Sequence, residues 1–309
     1  MSLRPRLSWT SLALAGTLAA CNGSAPSPMR NGISYAELSA GSPVLAGDRI
    51  AYGPGLLQFG DLRVPPARKS VPLVVLIHGG CWRSVFDVAH VYHAADALTR
   101  AGYATWTIEY RRIGDEGGGW PGTFVDVAHA VDYTRQLAKQ FPRLDTSRVV
   151  IVGHSAGGHL ALWAASRKLG DKLDGNEVAV APVKVAGVVS LAGITDLRTF
   201  GSGSSSCNKM AGTLMGGTAE EFPDRYKAVN PIQRSPIGVP VRFIHGTADA
   251  IVPLAQSQSM LKSEQASGGN ARLSAIESAG HFDLVAPGSA AWRDVVGAVR
   301  ALAKGQGRR

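Results

Sequence analysis

The chain has 309 residues, of which 45% are hydrophobic and 18% are charged, and its formal net charge is +9. This composition is too apolar for a disordered chain, no apolar run reaches the roughly 18 residues of a membrane-spanning helix, and three cysteines are too few for a disulfide-stapled miniprotein or a zinc ribbon. The basic residues are scattered and are not interleaved with aromatic residues, which argues against a nucleic-acid partner.

The first twenty residues have the pattern of an export signal. Arg4 and Arg6 precede a short apolar stretch that is followed by small residues. The stretch ends in Leu18-Ala19-Ala20-Cys21, which resembles a bacterial lipobox, a signal whose cysteine is acylated and becomes the first mature residue. We therefore predict a signal peptide over residues 1–20, a lipid anchor on Cys21, and a flexible tether over residues 21–32. The alternative is an ordinary secretory signal; in either case we expect export to the periplasm or cell surface.

Export bears on the two remaining cysteines, Cys81 and Cys207. In an oxidising compartment they either form a disulfide or remain as two partly buried thiols. The sequence leaves both possibilities open, because nothing in it fixes the distance between the two residues.

Short apolar runs alternate with stretches of helical period along the mature chain. Weak alternation from about residue 33 to 64 predicts one or two leading antiparallel strands. Further strands are predicted at Leu73–Ile77, Tyr103–Ile108, Val149–Val152, Val185–Leu191, Val241–Ile244 and Leu273–Ile276. Helices are predicted at about 87–100, 123–140, 156–167, 254–267 and 289–303. This pattern predicts one α/β domain over residues 33–309, with a mainly parallel central sheet and helices on both faces.

A G-x-S-x-G motif stands between the third of these strands and a helical run of Ala and Leu. It reads Gly153-His154-Ser155-Ala156-Gly157. In that context the turn is so sharp that side chains two positions from the serine would clash, which accounts for the two glycines. The turn lifts the serine hydroxyl off the edge of the sheet, near the free N–H groups at the start of the helix. We therefore predict that Ser155 is a nucleophile.

A serine hydroxyl needs a base, and the base needs a group that orients it. Asp249 lies in the turn after the fifth predicted strand and His281 in the loop after the sixth, so both fall at the same sheet edge as Ser155. We predict that Asp249 orients His281, which takes the serine proton. Taken alone, Asp249 would be interpreted as a helix cap or turn residue, and His281 as a surface loop residue. Asp196, which also follows a strand, is the second candidate for the acid.

The strand Leu73–Ile77 runs into a glycine-containing loop, His78-Gly79-Gly80-Cys81-Trp82. Glycines at this place let backbone N–H groups face a developing oxyanion with no Cβ in the way. We predict the N–H groups of Cys81 and Ala156 as the oxyanion donors, with Gly80 next. We expect His78 to lock the loop by hydrogen bonding.

Aromatic residues near these motifs are candidates for the wall of a substrate pocket. Trp82, Trp120 and Phe124 could contact an aromatic acyl or alcohol group, and His154 lies beside the nucleophile in sequence. It is equally consistent with the sequence that the three aromatic residues belong to the hydrophobic core. His154 and His159 flank the serine without a carboxylate partner that completes a metal site, so we expect no metal ion.

Four motifs together resemble the α/β-hydrolase superfamily and, more narrowly, the bacterial esterases and arylformamidases that carry an H-G-G-x-W loop. They are His78–Trp82, Gly153–His159, His245–Asp249 and Gly280–Phe282. The resemblance extends from about Val71 to Ala303 and implies an α/β-hydrolase fold, a serine nucleophile and neither a metal nor an organic cofactor. Relatives of hormone-sensitive lipase have a third consecutive glycine where this chain has Cys81.

We therefore expect a serine esterase that cleaves small carboxylic esters through an acyl-enzyme intermediate. The alternative is an arylformamidase acting on amides of the N-formylkynurenine type, which export disfavours because that substrate would be intracellular. A third hypothesis is a non-catalytic binding module, which need not keep serine, acid and histidine together. The sequence does not determine the acyl group, the alcohol or the oligomeric state.

Overall fold

The computed structural model describes residues 30–40, 44, 46–66, 69–178 and 181–304. In this part of the chain the strands are β1 Asp48–Ala51, β2 Phe59–Arg63, β3 Val71–Ile77, β4 Ala104–Ile108, β5 Leu144–His154, β6 Lys172–Leu173, β7 Asn176–Glu177, β8 Gly187–Leu191, β9 Val241–Gly246 and β10 Ala271–Ile276. The helices are α1 Tyr35–Ser39, α2 Tyr92–Arg100, α3 Gly122–Asp132, α4 Thr134–Gln140, α5 Ala156–Ser166, α6 Leu197–Gly201, α7 Ser206–Met215, α8 Pro223–Val229, α9 Ala255–Ala266 and α10 Trp292–Ala303.

Eight of the described strands form one sheet in the order β1-β2-β4-β3-β5-β8-β9-β10. The six strands from β4 to β10 in this order are parallel, and β1 and β2 add an antiparallel edge. This is the α/β-hydrolase architecture that the motifs implied, and the six predicted strands are confirmed. Because the parallel strands all end at the same edge, the loops after β3, β5, β9 and β10 converge there.

Strand β3 and the part of β5 from Val149 onward are buried on both faces of the sheet, which explains why their apolar runs are continuous rather than alternating. In β3, Leu73, Val75 and Ile77 pack into one core, together with α3 and α5. Val74 and Leu76 point to the other face and pack with α2 and α10. The helices on both faces agree with the predicted layers.

The segment between β8 and β9 forms α6, α7 and α8, which the sequence pattern did not predict. The first two of these helices begin at a side-chain cap, whereas α8 begins at Pro223 without one. Asp196 accepts the N–H of Arg198 at the start of α6, and Ser205 forms a capping box with Asn208 at the start of α7. The predicted helix over 123–140 is divided at Tyr133 into α3 and α4.

The predicted signal peptide, the lipidation site Cys21 and most of the predicted tether lie outside the described residues. The last three tether positions, 30–32, are described and contact the domain through a bridge from Arg30 to Ser289. Within the described ranges, no helix combines the length and apolarity needed to cross a bilayer.

Helix α5 begins so close to the end of β3 that no side chain fits between them. A Cβ at Gly157 would lie 2.2 Å from the carbonyl oxygen of Ile77 and 2.4 Å from that of His78. Both atoms belong to the backbone, so neither can move away without displacing β3. The glycine is therefore required by the packing of α5 against the sheet.

We predict opposite effects of two glycine-to-alanine substitutions on the free energy of unfolding. Gly157→Ala should lower it by about 3 kcal/mol through overpacking. Gly297→Ala, in the exposed part of α10 where a Cβ meets nothing within 4 Å, should raise it by about 0.5–1 kcal/mol. Denaturant unfolding of both variants tests this, and equal effects would contradict the packing argument.

Candidate active site

Ser155 occupies a sharp turn between β5 and α5. Its backbone has φ 58° and ψ −121°, a region that a residue with a side chain seldom adopts. A Cβ at Gly153 would lie 2.0 Å from the carbonyl oxygen of Gly157, so the two flanking glycines are what lets the chain turn here. The Ser155 N–H donates to the carbonyl of Leu191 at 2.8 Å, which fixes the turn on the neighbouring strand β8.

Asp249 and His281 form a buried hydrogen-bonded pair at the same edge of the sheet. Nδ1 of His281 donates to Oδ2 of Asp249 at 2.7 Å. The other carboxylate oxygen accepts the N–H groups of Ile251 and Val252 at 2.8 and 2.9 Å. Burial opposes ionisation of Asp249, but hydrogen bonds from His245 and His281 outweigh it and hold the pKa of this carboxyl below its usual range. The pair therefore fixes the proton of a neutral His281 on Nδ1 and leaves Nε2 free to accept one.

His154, the residue before Ser155, supports His281 from behind. Its Nε2 donates to the carbonyl oxygen of His281 at 3.0 Å, and the centres of the two rings are 4.5 Å apart. His90 donates through its own Nε2 to Nδ1 of His154 at 2.9 Å. Burial lowers the pKa of His90 to about 3 and the pKa of His154 well below its usual value, so both rings are neutral. His154, predicted from the sequence to line the substrate pocket, and His90, which the sequence did not single out, are instead buried supports.

The hydroxyl of Ser155 makes no hydrogen bond to any described residue, His281 included. His154 links the two residues: it precedes Ser155 in the sequence, and its side chain hydrogen-bonds to the backbone carbonyl of His281. Catalytic hydrogen bonds are often long before substrate binds and tighten in the complex. The proton transfer between Ser155 and His281 therefore belongs to the proposed mechanism below.

The loop after β3 turns its backbone toward Ser155. Three successive residues have positive φ, namely Gly80 at 105°, Cys81 at 52° and Trp82 at 56°. A Cβ at Gly79 would lie 3.1 Å from Cβ of Ser155, so the loop passes directly over the serine. Within the described chain, the N–H groups of Gly80, Cys81 and Ala156 donate to no protein acceptor. They are therefore free to bind an oxyanion.

His78 holds this loop, as the sequence analysis predicted. It is completely buried, with Nε2 at 2.9 Å from a carboxylate oxygen of Glu109 and Nδ1 at 2.8 Å from the carbonyl oxygen of Gly79. Glu109 also accepts the N–H of Val88 at 3.0 Å, which closes the far end of the loop. Burial opposes ionisation of Glu109, but His78 and Arg112 outweigh it and lower its pKa.

A disulfide joins Cys81 to Cys207, which settles the pairing that the sequence left open. The two Cα atoms are 5.4 Å apart, and 126 positions separate the residues in sequence. Cys207 lies in α7 and is buried. The bond therefore ties the glycine-containing loop to the helical segment between β8 and β9.

The predicted pocket aromatics lie in different surroundings. Trp82 and Phe124 are 0% exposed and pack against His159 in the core, so they are core residues and not the wall of an open pocket. Such aromatics gain more from burial than from lining a wet cleft. Trp120 is half-buried and donates through its indole N–H to Asp174 at 2.6 Å.

Asp196, the second candidate for the acid, serves as a helix cap. Its carboxylate accepts the N–H of Arg198 at 3.1 Å and the side-chain amide of Asn230 at 2.8 Å. Neither contact involves His281. The structure therefore supports Asp249 in the position that the sequence analysis preferred.

His159, on the helix that follows Ser155, makes a structural contact. His159 donates through Nε2 to the carbonyl of Val229 at 3.1 Å, and burial lowers its pKa to about 3. Over the part of the chain that the structure describes, no group of three or more His, Cys, Asp or Glu side chains is arranged to hold a metal ion.

Comparison with known proteins identifies the family of this chain. The model of the BD-FAE family matches residues 61–263, well over half of the chain, and the chain therefore belongs to this family. Among solved structures, a truncated form of carbohydrate esterase from gut microbiota has a TM-score of 0.70 at 23% identity, covering 85% of this chain and 97% of that one. Esterase B from Lactobacillus Rhamnosis (HN001) also has a TM-score of 0.70, at 20% identity over 87% of this chain and 90% of that one. At these identities the likeness shows the fold.

Curated relatives are matched over part of their length. Esterase LipC of Mycobacterium tuberculosis is 25% identical over 244 residues, which cover 77% of this chain and 60% of LipC. The protein YfhR of Salmonella typhi is 32% identical over 195 residues, which cover 62% of this chain and 59% of YfhR. The chain thus spans about three fifths of the length of these relatives.

We predict that breaking the disulfide lowers the free energy of unfolding by about 2–5 kcal/mol, because the bond closes a long loop. Cys207→Ser should shift the denaturant midpoint down, and reductant should shift the wild type by the same amount. Reductant should have no further effect on the variant. A wild-type midpoint that does not respond to reductant would contradict the pairing.

Proposed function

We propose that this protein is a serine esterase that hydrolyses small carboxylic esters through an acyl-enzyme intermediate. The observation that carries the proposal is the buried Asp249–His281 hydrogen bond at the sheet edge where Ser155 occupies its strained turn. Membership of the BD-FAE family and the esterase names of LipC and of the similar structures support it.

In the proposed acylation, Nε2 of His281 accepts the hydroxyl proton of Ser155 while Oγ attacks the ester carbonyl carbon. Asp249 keeps the Nδ1 proton in place and stabilises the imidazolium that forms. The tetrahedral intermediate then collapses: the bond from carbon to the alcohol oxygen breaks, and the alcohol leaves with the proton from His281. In deacylation, water gives a proton to His281 as its oxygen attacks the acyl carbon. The bond from carbon to Oγ then breaks, His281 returns the proton to Oγ, and the acid is released.

Backbone N–H groups supply the charge stabilisation in this scheme. The free donors of Gly80, Cys81 and Ala156 suit the negative oxygen of the intermediate, and each such donor is typically worth about 2.7–4 kcal/mol in the transition state. The disulfide and the His78–Glu109 contact support the proposal because they hold these donors in place before the reaction.

We further propose that the protein is exported and anchored to a membrane by a lipid on Cys21. The support is the sequence alone: an arginine-flanked apolar stretch that ends in Leu18-Ala19-Ala20-Cys21. Through this anchor the protein would bind a lipid bilayer. The proposed substrate is a small-molecule ester.

The proposed activity is tested with p-nitrophenyl esters of increasing acyl length, an acetylated sugar and N-formylkynurenine. We expect short esters to be hydrolysed in preference to the formamide. Ser155→Ala should lower kcat/KM by about 10³-fold or more, because no other nucleophile replaces the hydroxyl. Ser202→Ala, an exposed serine, is the matched control and should retain full activity. Preference for the formamide would replace the esterase proposal, and full activity of Ser155→Ala would refute the nucleophile.

We expect labelled palmitate to be incorporated into the wild type expressed in a bacterial host. Cys21→Ser should abolish the labelling, because the thiol that carries the lipid is gone, and should release the protein from the membrane fraction. A wild type that is exported without a label would favour the ordinary secretory signal.

A further inference from the structure

Asp283 lies two residues after His281, and its completely buried carboxylate binds three backbone N–H groups. One oxygen accepts the N–H of Gly280 at 2.6 Å and that of Gly32 at 2.8 Å. The other accepts the N–H of Ile33 at 3.1 Å. The bond to Gly280 closes the backbone around His281, and the other two join this loop to a segment about 250 residues away in sequence.

The distant segment is Arg30–Tyr35, which we call the strap. In addition to its bonds with Asp283, the strap is attached to the loop around His281 by a hydrogen bond from the side chain of Asn31 to the carbonyl of Glu277 at 3.1 Å. A bridge from Arg30 to Ser289 extends the attachment. Ser289 in turn donates its hydroxyl to the carbonyl of Asp283 at 2.6 Å, so that both ends of the loop are fixed.

The end of the strap also contacts the other side of the site. The ring of Tyr35 lies 5.4 Å from that of Phe282 and 5.5 Å from that of Phe86, measured between centres. Phe86 packs directly on the oxyanion loop, since a Cβ at Gly80 would lie 2.4 Å from Cβ of Phe86. The strap therefore bridges the loop of the proposed base and the loop of the proposed oxyanion donors.

We propose that Asp283 is a positioning residue, which holds the imidazole of His281 by tying its loop to the strap. The inference rests on the proposed esterase function and adds to it a part of the chain, residues 30–35, that lies outside the four motifs. The carboxylate of Asp283 hydrogen-bonds to backbone N–H groups, and among the described residues it makes no hydrogen bond to the imidazole or to the serine. It acts through the backbone of Gly280–Asp283, from which the direction of the His281 side chain follows. Misplacement of a reacting group by about 1 Å can cost on the order of 10²-fold in rate.

The test compares Asp283→Ala and Asp283→Asn with a matched control, Asp132→Ala. Asp132, the last residue of α3, is also a carboxylate that holds the backbone. It accepts the N–H of Val183 at 2.9 Å and pairs with Arg167, and neither partner belongs to the loop around His281. The kcat and KM for a short p-nitrophenyl ester are measured at a temperature where circular dichroism shows each variant to be folded. We expect Asp283→Ala to lower kcat by 10- to 100-fold with KM within about twofold.

Asp283→Asn should lose less, because its amide oxygen retains part of the acceptor set, and Asp132→Ala should lose thermal stability without losing kcat. If Asp283→Ala lowers the melting temperature and leaves kcat unchanged, Asp283 is structural only and the proposal is overturned. If both alanine variants lose kcat equally, general loosening of the fold explains the effect, which also overturns it.

Amide hydrogen exchange gives a readout that does not depend on turnover. Peptides that contain Gly32, Ile33 and Gly280 should exchange faster in Asp283→Ala than in the wild type, and at the wild-type rate in Asp132→Ala. If the wild type hydrolyses no ester but this exchange pattern is found, the proposed function fails while the link between strap and loop stands. Unchanged exchange in Asp283→Ala would refute the link itself.

Discussion

The structure depends on one constraint, the strained backbone of Ser155, whose φ is positive, in the turn from β5 to α5. A turn this tight places the start of α5 against the carbonyl of Ile77, and only glycine at positions 153 and 157 permits that contact. Once the turn is formed, the serine, the free N–H of Ala156 and the end of β3 necessarily meet. The conformational cost at a single residue is offset by packing on both faces of the sheet.

Loops rather than strands carry the rest of the site, and each is held by a buried carboxylate. Glu109 holds the loop over the serine through His78, and Asp249 binds both the imidazole of His281 and the backbone of its own turn. Asp283 holds the loop that contains His281 by accepting the N–H of Gly280. A carboxylate bound by backbone N–H groups is a strong and directional contact, so it gives a loop a definite conformation that apolar packing alone does not.

Much of this arrangement could be predicted from the sequence, and the rest could not, for physical reasons. The central parallel strands were predictable because burial on two faces makes them nearly continuous apolar runs. Helices α6 and α7 were missed because they are short and depend on caps at Asp196 and Ser205. Whether an aromatic residue such as Trp82 faces the core or a cleft depends on residues that are distant in sequence. The composition and local pattern do not show which residues these are.

Long-range contacts were likewise beyond the sequence. The disulfide joins residues 126 positions apart, and nothing local distinguishes a paired cysteine from a free one. Asp283 reads as an ordinary loop acid, since the N–H groups that it binds at Gly32 and Ile33 come from the other end of the chain. His281 and Asp249, by contrast, were predictable because each follows a strand at the edge where Ser155 must lie.

The central claim, that a polarised Ser155 attacks carbonyl carbon, is tested most directly by covalent capture. A p-nitrophenyl phosphonate reacts with such a hydroxyl, releases p-nitrophenol and leaves a stable bond from phosphorus to the serine oxygen. The account predicts a single adduct in the intact mass, mapped by peptide sequencing to Ser155, and formed much more slowly when His281 is replaced by alanine. A stoichiometric adduct on any other residue, or none on folded protein that hydrolyses esters, would contradict it.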